Sequence, residues 1–213
     1  MKTPFDWLEK NEQKQVAGIF WIFLILVTLL FGFVFNPLAT EAAPWGVISF
    51  ELPPIGESGG TIASLQSWNA AGQLIPLAKR SLELDFLYIV LYAVPLSISS
   101  LLAARTLLDK GSCALGKAGI IMSWVVMVAA ISDGLENYFL LSVIAGFDPL
   151  VPTAMACMAK LANLFAIMKF VLLLSVVLYL LLAFLEKIVL LLCGPAERSC
   201  LQKSASGNKP AVR

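Results

Sequence analysis

Residues 16–35 read VAGIFWIFLILVTLLFGFVF, twenty residues without one ionisable side chain. A helix of about 20 apolar residues, rising about 1.5 Å each, matches the roughly 30 Å hydrocarbon core of a bilayer. The run follows 15 residues that include Asp6, Glu9 and Glu12, and it is longer than a typical signal-peptide core. It therefore reads as an uncleaved transmembrane helix. Three further runs lie at 84–104, 118–141 and 158–184, the last with an apolar extension to Cys193. Lipid offers a backbone no hydrogen-bond partner, and a helix satisfies its own groups. The expected fold is an all-α membrane protein: a four-transmembrane-helix bundle forming one domain over 1–193, then a disordered polar tail at 194–213.

Composition points the same way. The chain is 59% hydrophobic and 14% charged, with a mean hydropathy of +0.86, whereas a soluble domain carries about 25% charged residues. Net charge is +1, so nothing points to nucleic acid. The chain has no histidine, which removes His-ligated haem, His-bearing metal sites and Ser-His-Asp or Cys-His nucleophiles. Cysteines stand at 113, 157, 193 and 200 without a C-x-x-C pair, so no zinc ribbon or dithiol centre is expected. Cys113 and Cys157 fall on opposite sides of a four-span bundle and should not pair. Cys193 and Cys200 flank the inner end of the last span, as inert thiols or acylation sites. No phosphate loop, dinucleotide fingerprint or kinase motif appears, nor an inverted repeat of the transporter kind. No metal and no cofactor is expected.

Lys and Arg give the bundle a direction. Lys2, Lys10 and Lys14 precede the first span, and Arg105, Lys110 and Lys117 join the second to the third. Lys187, Arg198, Lys203, Lys209 and Arg213 follow the fourth. These are 11 of the 15 basic residues, all on one side of a four-span chain. The positive-inside rule puts both termini in the cytoplasm of a cell membrane, as in a bacterial inner membrane. Three spans would break the pattern.

The long outward loop 37–83 is too apolar for a solvated linker. Residues 47–53 read as an extended segment ended by Pro53-Pro54. After Gly59-Gly60, Thr61 is a candidate cap for a short amphipathic helix from Ile62 to about Leu74. Ile62, Leu65, Trp68 and Ala71 recur at spacing three. Such a helix lies at the outer membrane surface or against the bundle, with Trp68 as an interfacial anchor. It serves as a cap on the four spans or as a lid over an outward-facing site. Glu51, an acid inside an apolar loop segment, reads as a solvated loop acid, with reach into the polar cluster as the alternative.

Ionisable groups inside spans are expensive and need a reason. Span three carries Asp133, Glu136 and Asn137 on one helical face, and span two carries Asp85, Tyr88 and Tyr92 on another. Pro95 is a candidate kink. Span four carries Lys169, with Lys160 and Asn163 nearer its outer end. Lys160 is half a turn out of phase with Lys169 and should snorkel to the boundary. Counted from Lys117 and from Glu186-Lys187, Asp133 and Lys169 both lie about 24–27 Å from the inner side. The expected arrangement pairs Asp133 or Glu136 with Lys169, with Tyr88, Tyr92 and Asn137 completing a polar cluster in the outer third and Asp85 at its edge.

Two readings of the cluster stay open: an ion pair that locks helix register, and a working site in which a second carboxylate holds a proton or meets a ligand. Three functions follow. The chain is a ligand-binding or accessory membrane protein whose outward cavity takes a small amphiphile, lipid or ion. Alternatively, it is an enzyme on a lipid-like substrate, with Asp133 or Glu136 as acid/base and Lys169 as electrostatic partner. Or it is a structural subunit whose polar face packs on another membrane protein. Its expected partners are the lipid bilayer, a lipid-like or small amphiphilic ligand and a membrane-protein neighbour.

Overall fold

A computed structural model describes residues 3–5, 7–52, 60–72 and 74–192. The tail 194–213, Cys193, Cys200, the Pro53-Pro54 pair and Gly59 lie outside the described residues. Six helices form: α1 Lys10–Val34, α2 Val47–Glu51, α3 Thr61–Ala70, α4 Leu74–Asp109, α5 Cys113–Ala145 and α6 Ala156–Leu192. Among the described residues no strand forms beyond a single bridge between Thr40 and Ala43. Helices α1, α4, α5 and α6 are long and apolar enough to cross a membrane.

Each long helix overruns its apolar stretch, because the flanking polar residues are themselves good helix formers. Helix α1 starts where the Glu9 N–H donates to Glu12 Oε2 at 2.8 Å, and stops ahead of Asn36-Pro37, which opens a 3₁₀ turn. Helix α4 runs unbroken through Pro95. It ends on Gly111 at φ +85°, where the Gly111 and Ser112 N–H groups donate back to Leu108 and Leu107. That left-handed cap favours glycine.

Helix α5 lies between α4 and α6, and α1 packs chiefly along α4. Burial follows from this order. Half of the most apolar stretch of α4 is covered by protein, but only 11% of that of α1. Three polar contacts fix the α1–α4 register. Arg105 donates to Gln13 Oε1 at 2.9 Å, the Trp21 indole to Ser99 Oγ at 3.1 Å, and Thr28 meets Tyr88 at 3.0 Å. Outward faces are apolar throughout, with Leu29, Phe33, Val171, Leu174 and Leu181 exposed. Exposing such side chains to water would forfeit about 1.5–3 kcal/mol each, whereas a lipid solvent accepts them.

Residues 35–52 and 60–72 cap one end of the bundle. Here the structure departs from expectation. Of the stretch read as extended, Val47–Glu51 instead forms one turn of helix, and Leu52 after it is extended. The turn follows Gly46 at φ +58°, and Leu52 N–H closes on Ile48 O at 3.0 Å. Val47 and Ile48 favour a strand locally, but the turn buries Phe50 completely and carries Glu51 inward, and tertiary burial overrides propensity. Helix α3 ends at Ala70, short of Leu74, and buries Thr61, Ser64, Leu65 and Trp68. Trp68 does not point outward as an interfacial anchor would. It is fully buried, lies 5.1 Å from the Phe50 ring and donates its indole N–H to Leu38 O at 2.9 Å. Its polar edge is satisfied inside the cap, so it has no need of headgroups.

Candidate functional site

The site lies beneath the cap, where α4, α5 and α6 bring polar residues to one level. Lys169 of α6 is buried, and its Nζ touches three carboxylates: Glu136 Oε2 at 2.8 Å, Asp133 Oδ1 at 2.9 Å and Glu51 Oε2 at 3.2 Å. Asp133 and Glu136 are one turn apart on α5, so a single ammonium reaches both. Tyr92 of α4 donates to Asp133 Oδ2 at 2.8 Å. Beside this group, Asn137 Nδ2 donates to Asp85 Oδ2 at 2.6 Å, which ties α5 to α4. Tyr88 stands apart from the ions, against Thr28 of α1.

The structure thus brings Asp133, Glu136, Lys169 and Tyr92 together, adds the Asp85–Asn137 pair alongside, and sets Tyr88 edge-on to Tyr92 at 6.0 Å on the wall of the same cavity. Lys160 is exposed and outside the group. Glu51 follows the lesser of its two expected readings. It is buried rather than solvated, and among the described residues it is the cap side chain that reaches Lys169. Burial pushes its carboxyl above the usual range, against the pull of Lys169. Its backbone is held as well, since Asn163 Nδ2 donates to Glu51 O at 2.6 Å and lies 3.1 Å from Thr61 Oγ1. Thr61 in turn donates to Phe50 O at 2.8 Å. An acid set between Phe50 and Leu52 was the available signal.

Charge decides what the cluster can be. At an effective dielectric of about 20, each ammonium–carboxylate contact is worth about 5 kcal/mol of attraction. Carboxylates sharing one ammonium at these distances are at most about 6 Å apart and repel by about 3 kcal/mol per pair. Withdrawing each ion from water costs several kcal/mol more. One lysine therefore does not balance Glu51, Asp133 and Glu136, and Asp85 adds a fourth acid nearby. Glu136 Oε1 and Asn137 Oδ1 are buried acceptors without a hydrogen-bond partner. Their desolvation is uncompensated within the protein.

A cavity of about 800 Å³ reaches this cluster. Glu51, Asp85, Asp133 and Lys169 lie on its wall at the polar end. Leu24 and Phe31 of α1 face Phe170, Leu173 and Val177 of α6 along the rest. Because α1 is seated on α4, the space between α1 and α6 is left to the cavity. No protein-family model matches this chain, no curated protein is similar to it, and no solved structure matches it.

Proposed function

We propose that this protein binds a small amphiphile in the cavity between α1 and α6, with the polar head against the Lys169 cluster and the tail along the apolar walls. One observation carries the reading: a single cavity has charged groups at one end and aliphatic and aromatic walls along the rest. Its volume falls within the roughly 300–1,000 Å³ of small-molecule sites. A cavity flanked by two membrane helices is entered from the lipid phase, so the ligand is one that partitions there. The bundle sits with both termini in the cytoplasm and the cap outside, an orientation supported by 11 basic residues on one side.

Gly32 provides the test. It lines the cavity, and a Cβ there meets nothing within 4 Å, so a side chain can start from this position and Gly32→Phe adds bulk at the cavity wall. Native mass spectrometry of the full chain, released from its own membrane, should find an amphiphile retained by the wild type and reduced at least ten-fold in Gly32→Phe. Equal retention by both proteins, or none by either, overturns the proposal.

A further inference from the structure

The polar groups around the cavity differ in what they have left to offer. The donors that touch the acids are already committed, and so are the Thr28 and Tyr88 hydroxyls. The Lys169 ammonium is spent on three carboxylates, and the Tyr92 hydroxyl on Asp133. The Thr28 hydroxyl donates to Leu24 O at 2.7 Å, so in the Thr28–Tyr88 contact the proton comes from Tyr88, whose donor is spent too. An anionic head would meet three carboxylates there; Asn36, Trp45 and Ser81 of the wall offer neutral donors only.

Acceptors, in contrast, are in surplus. Asp85 stands on the cavity wall, held by Asn137 at Oδ2, and no cation pairs with it among the described residues. Behind the wall, fully buried Glu136 and Asn137 keep Oε1 and Oδ1 unpartnered and add to the negative potential at the polar end without lining the cavity. The wall itself presents three acids and one base. A quaternary ammonium would answer the charge but could not donate a hydrogen bond. A protonated amine answers both.

From this balance of charge and donors we propose that the ligand's head is a protonated primary amine, seated between Asp85 and the Asp133–Glu51 side of the cavity. The inference rests on the amphiphile reading above and specifies its chemical class. The amine and the protons that otherwise neutralise the acids compete for one excess of negative charge, so amine binding releases protons.

The test compares three ligands of equal chain length, dodecylamine, dodecanol and laurate, as radiolabelled probes in scintillation-proximity binding to the full chain in detergent at neutral pH. Dodecylamine should bind at least ten-fold more tightly than dodecanol, with laurate the weakest. Asp85→Asn, which keeps an oxygen for Asn137 but removes the charge, should weaken dodecylamine about ten-fold and narrow its lead over dodecanol. Equal affinity for amine and alcohol, or tighter binding of laurate, overturns the amine head and leaves the amphiphile site standing. Displacement of dodecylamine by millimolar sodium at constant ionic strength would make this an inorganic-cation site and also overturns it. If Gly32→Phe leaves all three affinities unchanged, the amphiphile site itself falls, and the amine head with it.

Discussion

Lys169 and Glu51 touch each other, yet their removal should have opposite consequences. Deleting the ammonium strands three buried carboxylates, a loss of about 3–5 kcal/mol when a buried pair is broken from one side. Deleting the Glu51 charge leaves Lys169 with Asp133 and Glu136 at 2.9 and 2.8 Å. Glu51 titrates above its ordinary 4.5. A carboxyl whose folded value exceeds its unfolded one contributes full stability below about 4.5 and loses it as pH rises through the folded value. Thermal unfolding in detergent should therefore put Glu51→Gln level with the wild type near pH 4.5 and level with or above it at pH 7.5. Lys169→Met should fall well below both at pH 7.5 and recover on acidification. A Glu51→Gln loss as large as that of Lys169→Met would mean that Glu51 is the partner on which the lysine depends. The membrane-embedded members of this cluster were legible from spacing alone, because lipid leaves an ionisable residue few explanations. Glu51 was not, since a loop acid has water as its default partner until the fold removes that water.

At the level of elements, the long helices were readable and the cap was not. Twenty apolar residues have one solution in lipid, whatever packs beside them. Five residues of cap follow their surroundings: the turn at α2 forms because Phe50 and Glu51 are pulled inward, against the strand preference of Val47 and Ile48. Trp68 was misread for a related reason, as its partner Leu38 is 30 positions away. Small residues mark where the long helices meet. A Cβ on Gly119 would overlap the Tyr179 hydroxyl and come within 2.8 Å of the Ala104 methyl, so α5 approaches α4 and α6 there only as glycine. Gly119→Leu should cost about 1–3 kcal/mol by overpacking. Gly18→Leu on α1, where a Cβ meets nothing within 4 Å, should stay within about 0.5 kcal/mol of the wild type. Thermal midpoints of the two variants measure the difference, and equal midpoints would refute the close approach.

For the whole molecule, the span count and the basic asymmetry predict sidedness that two cysteines can report. Cys113 opens α5 and Cys157 lies at the start of α6, and both are exposed. With the other cysteines replaced, a membrane-impermeant maleimide on intact cells should label Cys157, and Cys113 only after lysis; the reverse pattern would invert the bundle. Sequence alone reached the bundle and the level of its polar residues. It could not reach the cavity, which depends on which helix α1 chooses as neighbour. That choice has a mechanical consequence. Helix α5 is clasped from two sides and has to be sheared out, whereas α1 adheres to α4 along one seam. Tension applied at the N-terminus would peel α1 away like tape, turn by turn, while the other three stayed assembled.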